Sequence, residues 1–510
     1  MCDFTFINGG KCPEKSIENS NFCIMHINLP ENTNSPEYQR LAELKSGEFK
    51  QRLDSQNYRF EGVILPELTI PEGYEIQETI DFRSSLFLGR LKFNKVLFKK
   101  DAIFMGATFQ IGANFFGAIF KGEANFGETT FKYETIFHGA TFHGTVNFHG
   151  ANIQGATLKP RALLYEEAMK EAIWDEGYYT ADFSKVIFLG AADFQYTTFP
   201  NKTDFIEAIF EWEALFYGAT FQKYANFSRA EFWSVAGFIG TKFLGETNFQ
   251  GAKFKGWTTN FNGATFQGWT NFKGCTFQGL AGFDIAIFDS DASFEGATFQ
   301  DDTSFIRAKF KSSAFLKNIT NLSNISFHGS EIDVDLDFSN STISGNIYLD
   351  NSKILGRFIF KNASIKEFPV QEQFFRRAKR LREEVGDKVN ADNYFFQEMV
   401  VKRKQKPVIP QLFELPFHYI FWYGVYPLRV IGIWIVIVIG FGLFYFLQKA
   451  IMDATSIGDY VYFSLIIAAT PGFGSYVMKS GYEWFAICEA FLGTMLWAAF
   501  IATAARKFSR

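Results

Sequence analysis

Phenylalanine sets the rhythm of most of this chain. It recurs at Phe82, Phe87, Phe93, Phe98, Phe104, Phe109, Phe115 and Phe120 in steps that alternate five and six residues, then continues through Phe148 to Ile153 and Leu158. The rhythm resumes at Phe183, slips by one residue between Phe254 and Phe261, and runs through Phe310, then from Phe327 through Ile332 and Phe360 to Ile365. A period of eleven is open to a right-handed helical coiled coil. The intervening residues argue against it, because Gly-Ala-Thr-Phe-Gln-Gly and Gly-Ala-Asn-Phe are rich in poor helix formers that favour turns. A repeat this regular predicts a solenoid with the aromatics inside. The outward positions are Lys, Gln, Glu, Thr and His. His138, His143 and His149 fall on successive faces, where they cannot converge on a metal, and read as solvated surface.

The pattern breaks in several places. Residues 31–60 read as a connecting helix, and 160–178, with Leu163, Leu164, Ala168, Ala172 and Trp174 against Glu166, Glu167, Lys170 and Glu171, read as a helical insertion. The insertion breaks the rod into runs over 61–159 and 179–366. Residues 367–406 are amphipathic and basic, with Arg376, Arg377, Lys379, Arg380 and Arg382 close together, and read as a helical cap or coupler. Residues 407–427, with Trp422, Tyr423 and Tyr426, read as an interfacial segment. Crossing a bilayer takes about 20 apolar residues. Residues 428–447 and 482–510 each hold such a run, whereas Tyr460 to Ala469, within 448–481, is half as long and must enter and return.

After that short run stands Thr470-Pro471-Gly472-Phe473-Gly474-Ser475. Non-helical backbone at membrane depth is tolerated where protein buries it or where it lines a watery cavity. The two glycines permit the positive-φ conformations that point successive carbonyls toward one axis. The order helix, re-entrant helix, Thr-x-Gly-aromatic-Gly, helix resembles the pore module of the two-transmembrane potassium-channel family, over roughly Trp422 to Arg510. The resemblance implies that Thr470 to Ser475 form a selectivity filter whose carbonyls replace the hydration shell of the ion. It also implies that four chains enclose the pore and that the module sits in the plasma membrane of a bacterium. Tyr462-Phe463-Ser464 opens the pore helix in this comparison. Two positions depart from the family pattern: Pro471 stands for the usual valine and removes an N–H, and Ser475 stands for an acidic residue. Both bear on potassium selectivity more than on cation conduction.

Within the second spanning segment Glu489 and Gly493 stand out. An ionisable residue there is a functional hypothesis by default; Glu489 either braces the back of the filter or is a protonated or snorkelling carboxyl without special role. Gly493 matches a gating bend, or lets helices pack closely. Lys402, Arg403, Lys404, Lys406 and Arg429 precede the first span and Arg506, Lys507 and Arg510 follow the second, against Lys449 and Lys479 between them. The positive-inside rule then places both termini in the cytoplasm.

The repeat Ala-[Asn/Asp/Thr]-Phe resembles the pentapeptide-repeat family. That implies a right-handed four-sided β-helix of about a dozen coils, ~55–60 Å long at the ~4.8 Å strand spacing. At the N-terminus, Cys2-x9-Cys12-x10-Cys23-x2-His26 within residues 1–30 offers four ligands suited to tetrahedral zinc. Three unrelated thiols is the other reading, and a disulfide is disfavoured in the reducing cytosol.

Composition adds little beyond this. With 510 residues, 65 of them phenylalanine, the chain is too long for one ordinary domain, and a net charge of −4 gives no reason to propose nucleic acid as a partner. The first 30 residues lack the apolar core of a signal peptide. No Ser/His/Asp set, phosphate loop or paired carboxylates suggests an enzyme. The expected protein is therefore a homotetrameric potassium-conducting cation channel in a lipid membrane, with a cytoplasmic solenoid that binds an unidentified ligand or protein and couples to gating. The alternative is a non-conducting, membrane-anchored scaffold whose solenoid binds a protein partner.

Overall fold

The alternating steps of five and six make two kinds of corner. In the computed structural model, which describes all residues except 19, 134, 154–179, 321, 366–367, 470–475 and 509–510, each five-residue step turns on a residue with positive φ. In Phe104-Met105-Gly106-Ala107 the turn residue Gly106 has φ +67°, and the Ala107 N–H donates to the Phe104 carbonyl at 2.9 Å. Each six-residue step spends its spare residue differently, by pressing the corner onto the coil before. A Cβ on Gly144 would lie 2.4 Å from the Gly122 carbonyl oxygen, so only glycine fits there. The first corner needs a conformation; the second needs glycine where it closes on the coil before, as at Gly144, while Lys100, Trp212 and Ser234 carry side chains at the equivalent step.

Four parallel sheets of 13, 13, 10 and 12 strands result, one per face. The ladder repeats every 22 residues, as in Phe87 opposite Phe109, and every 23 where the extra residue of Lys255-Gly256-Trp257 is absorbed, with Gly237 opposite Asn260. The slip between Phe254 and Phe261 is thus one enlarged corner within an unbroken sheet. Along each strand one side chain points in and its neighbour out, as strand geometry requires. Inside, rings stack coil upon coil: Phe104 on Phe126 at 5.0 Å, Phe126 on Phe148 at 4.8 Å, Phe194 on Phe216 at 4.8 Å. Neighbouring columns meet edge-on, as Phe205 and Phe216 do at 5.5 Å and 88°. Each buried ring contributes about 1.5–3 kcal/mol.

The insertion does not interrupt this stack. Thr135 pairs with Ala181 and Phe142 with Phe188, and Phe148 stacks on Phe194 at 4.9 Å, so the expected break in the rod is corrected to one continuous solenoid. The helix expected over 160–178 lies outside the described residues. From Ile319 onward aliphatic side chains replace most of the rings, and the last rungs, Thr342 with Ser364 and Ile343 with Ile365, form a separate pair.

The N-terminal end of the stack is covered. Helix α1 (Pro36–Asp54) starts at Ser35, whose side chain accepts from the Tyr38 N–H, and buries Leu41, Lys45, Phe49 and Leu53. Phe49 lies 4.6 Å from Phe60, which stacks on Phe82 at 5.0 Å, so α1 closes the aromatic column. The outward histidines are surface groups: His138 lies 3.4 Å from Asp182, His143 2.8 Å from Lys121 and His149 3.9 Å from Asp193.

Residues 367–510 form a second compact unit, whose named elements among the described residues are helices. Helices α2 (Phe368–Glu384) and α3 (Lys388–Lys404) make an antiparallel hairpin turning at Gly386, with φ +76°. Between them Glu398 is buried and bonded to Arg376 at 3.1 Å and Lys402 at 2.9 Å. Helix α4 (Val408–Tyr419) exposes Val408, Ile409, Leu412, Phe413 and Phe417. A left-handed Tyr423 then turns the chain into α5 (Pro427–Gln448), followed by α6 (Ile457–Ala469) and α7 (Glu483–Phe508). The apolar stretches of α5 and α7 run 22 and 23 residues, and only 22% of each is buried within the chain. A core helix of a soluble domain would be mostly covered, so these two present their apolar surface to lipid or to other chains.

Replacing one ring of the stack tests its weight. Phe216→Ala should lower solenoid stability by about 3–5 kcal/mol, read from denaturant unfolding of the full chain, whereas the exposed Gln222→Ala should change it by less than about 0.5 kcal/mol.

Candidate functional site

The short helix α6 is held at its start, middle and end. Its first turn is capped reciprocally: the Asp459 carboxylate accepts from the backbone of Thr455 at 2.8 Å and Ser456 at 2.7 Å, while the Ser456 hydroxyl accepts from the Asp459 N–H at 3.3 Å. This is a capping box with aspartate in the glutamate role. The same carboxylate accepts from the Tyr476 hydroxyl at 3.4 Å, tying the residue after Ser475 to the start of the helix. A short antiparallel bridge, Ile451 with Met478, closes the chain around it.

At mid-helix stands Ser464, fully buried. Its hydroxyl reaches the Val438 carbonyl of α5 at 2.7 Å and also bonds to the Glu489 carboxyl of α7. Glu489, likewise fully buried, takes a second hydrogen bond from the Tyr445 hydroxyl of α5 at 2.9 Å. One carboxyl thus joins all three helices. Tyr462-Phe463-Ser464 does not open the helix, as the family comparison implied; α6 begins five residues earlier than Tyr462, at Ile457, and this triplet is its centre.

At the end of α6, two residues before Thr470, the Ala468 carbonyl accepts from the Trp434 indole N–H at 3.3 Å. Gly493 of α7 lies against the same peptide: a Cβ there would sit 2.2 Å from the Ala468 oxygen and 2.6 Å from its Cα. Helix α7 is continuous through this position. In this conformation Gly493 lies in close approach to the Ala468 peptide. Gly442 of α5 does the same for Val461, with 2.9 Å to its Cα. Thr470, Pro471, Gly472, Phe473, Gly474 and Ser475 themselves lie outside the described residues.

The four N-terminal candidates converge. The ligand atoms of Cys2, Cys12, Cys23 and His26 lie within 4.8 Å of one another, and all four residues are buried. Cys23 Sγ is 3.1 Å from His26 Nδ1 and 4.0 Å from Cys12 Sγ; Cys2 Sγ is 3.6 Å from Nδ1. A tetrahedral site with Zn–S bonds of about 2.3 Å has ligand edges of about 3.8 Å. His26 is held for such a role: its Nε2 donates to the Glu61 carbonyl at 3.0 Å, which leaves the Nδ1 lone pair facing the thiols, and Phe4 stacks flat on the ring at 3.9 Å. That outer hydrogen bond is the usual companion of a metal-bound imidazole. Burial pushes the Cys12 thiol up to about 12 and raises Cys23, while it lowers His26. A metal that takes Cys12 and Cys23 as thiolates must therefore displace their protons.

Two family models match the chain. One, described as pentapeptide repeats with nine copies, covers 112–152, 183–231, 227–276, 261–309 and 272–320; the other, described as ion channel, covers 433–510. The central region is a pentapeptide-repeat solenoid, and the C-terminal region is an ion-channel domain. No curated protein and no solved structure matches the chain. Together with α5 and α7, the channel match makes this a membrane protein, and α6 lies inside the matched segment.

Several residues that hold this domain together were not singled out as site residues. The box Ser456-x-x-Asp459 was legible as a helix start. Tyr445 and Trp434 carried no signal, because each is one aromatic within an apolar run and only packing reveals that its polar atom is used. For Gly493→Ala the added methyl must displace the Ala468 peptide. The expected cost is about 1–3 kcal/mol, measured as a lower unfolding midpoint of the detergent-solubilised chain than that of Gly432→Ala, whose Cβ meets nothing within 4 Å.

Proposed function

We propose that four copies of the chain form a cation channel that conducts potassium. Carbonyls of Thr470 to Ser475 would line the conduction path, with both termini and the solenoid in the cytoplasm, as the distribution of basic residues favours. Transport, not catalysis, is the activity. The observation that carries this reading is the three-point anchoring of α6, capped at Asp459, bonded through Ser464 and Glu489, and clamped at Ala468 immediately before the Thr-Pro-Gly-Phe-Gly stretch. A helix that stops short of crossing a bilayer is stable only with its polar ends and middle satisfied by protein. In this arrangement Glu489 is a brace behind the filter. The solenoid would act on gating by binding a cytoplasmic ligand or protein differently in two states, since no other differential interaction can shift an equilibrium.

Pro471 and Ser475 leave room for a second reading, a membrane-anchored scaffold that does not conduct. Bilayer recordings of the purified chain, with potassium on one side and sodium on the other, separate these. A reversal potential near the potassium equilibrium value is expected. One near zero would mean a weakly selective cation pore, and silence would favour the scaffold. Gly472→Asp and Gly474→Asp should each abolish the current, because a side chain there would oppose the left-handed backbone that a carbonyl-lined filter requires; current unchanged by either would remove the filter assignment.

The N-terminal cluster we assign to structural zinc, on the convergence of four buried donors and the orientation of His26. Metal analysis of the purified chain should give about one zinc per chain, as a closed four-ligand site holds, and Cys23→Ser should lose it while conduction persists. Wild-type protein free of zinc would sink the assignment.

A further inference from the structure

The hydrogen bonds around Glu489 can be counted proton by proton. The Tyr445 hydroxyl has one proton and gives it to Glu489 Oε2 at 2.9 Å. The Ser464 hydroxyl also has one, yet its oxygen makes two contacts, with the Val438 carbonyl at 2.7 Å and with Glu489 Oε1. A carbonyl oxygen only accepts, and an ionised carboxyl only accepts. Were Glu489 a carboxylate, the single Ser464 proton could serve one of the two, and the other would be a pair of facing acceptors at hydrogen-bond distance with nothing between them.

Carried on Oε1, one further proton completes the set. Glu489 then donates to Ser464, Ser464 donates to Val438 and Tyr445 donates to Glu489, so each hydrogen has one acceptor. The surroundings agree. Glu489, Ser464 and Tyr445 are fully buried, and no lysine, arginine or histidine among the described residues is paired with Glu489. An ionised carboxyl in such a place, without a cationic partner, costs far more than a neutral one. The elements packed around it are α5, which brings Tyr445, α6, which brings Ser464, and α7 itself, where the adjacent Cys488 is exposed.

We infer that Glu489 works as a neutral carboxylic acid in a closed proton chain, Tyr445 to Glu489 to Ser464 to the Val438 carbonyl, that fixes α6 between α5 and α7. This rests on the reading of α6 as a pore helix and adds to it a chemical state and two positioning residues, Tyr445 and Ser464. What the chain requires of position 489 is one donor and one acceptor, and charge is not part of it. Glutamine supplies both, with Nε2 toward Ser464 and Oε1 toward Tyr445, whereas alanine supplies neither.

Infrared spectra of the full-length wild type and E489Q at neutral pH, in lipid, test this directly. The expected difference is a protonated-carboxyl C=O stretch present in the wild type and absent in E489Q, displaced to weaker hydrogen bonding in S464A. A difference spectrum showing only carboxylate bands would overturn the inference. In bilayers E489Q should keep the wild-type current and selectivity while E489A loses them; folded E489Q as impaired as E489A would also overturn it. The spectroscopic arm does not depend on conduction. A wild type that is electrically silent but shows the band would refute the channel reading and leave the proton chain standing.

Discussion

Through most of the solenoid each coil rests its rings on the rings one coil below, and the rest of that unit follows from this contact. Parallel strands in a ladder are held a little under 5 Å apart. Stacked Phe98 and Phe120, at 4.4 Å and 4°, or Phe277 and Phe299, at 4.9 Å and 2°, match that spacing, so backbone hydrogen bonding and aromatic contact are satisfied by one geometry. The corners have no such freedom. Coils this close leave no room for a side chain at Gly144, Gly256 or Gly356, where a Cβ would fall 1.9–2.4 Å from a carbonyl oxygen of the preceding coil. Ring spacing thus restricts these corners to glycine, and the repeat makes the fold legible.

For that reason the solenoid could be read from Phe82, Phe93 and Phe104 without any structure: a strict period carries redundant information, and one slip at Trp257 does not blur it. The insertion misled because composition alone made it look like a break. What decides the point is register, and Thr135 opposite Ala181 is a pairing that sequence spacing cannot reveal when a long excursion lies between. The convergence of the N-terminal cluster was legible to the extent that Cys23-x2-His26 puts two donor side chains on one turn. The return of Cys2 and Cys12 to the same point depends on chain folding, as does the choice of the Glu61 carbonyl as partner to His26.

The helical unit obeys a different constraint. Its helices have little apolar surface to remove from water when they meet within a membrane, so contact depends on small residues and on polar groups with no alternative partner. Gly442 and Gly493 provide the first, and Ser464, Glu489, Tyr445 and Trp434 the second. Sequence reading found Glu489 because a charge is conspicuous in an apolar run. It passed over Tyr445 and Trp434 because an aromatic there is unremarkable until its polar atom is seen in use.

The two units therefore differ in what a change of state would require. Moving one solenoid coil relative to the next breaks several ring contacts and a full set of ladder bonds at once, and the interfaces repeat with no alternative arrangement in sight. The helix α6, in contrast, is placed by a handful of identifiable polar contacts, each with a donor that another group could satisfy. Bistability belongs where few interactions separate two arrangements. In a gated channel built this way, the switch would lie among α5, α6 and α7. The stiffness of the stacked rings would suit the solenoid to carrying a force, or the energy of a bound partner, without absorbing it.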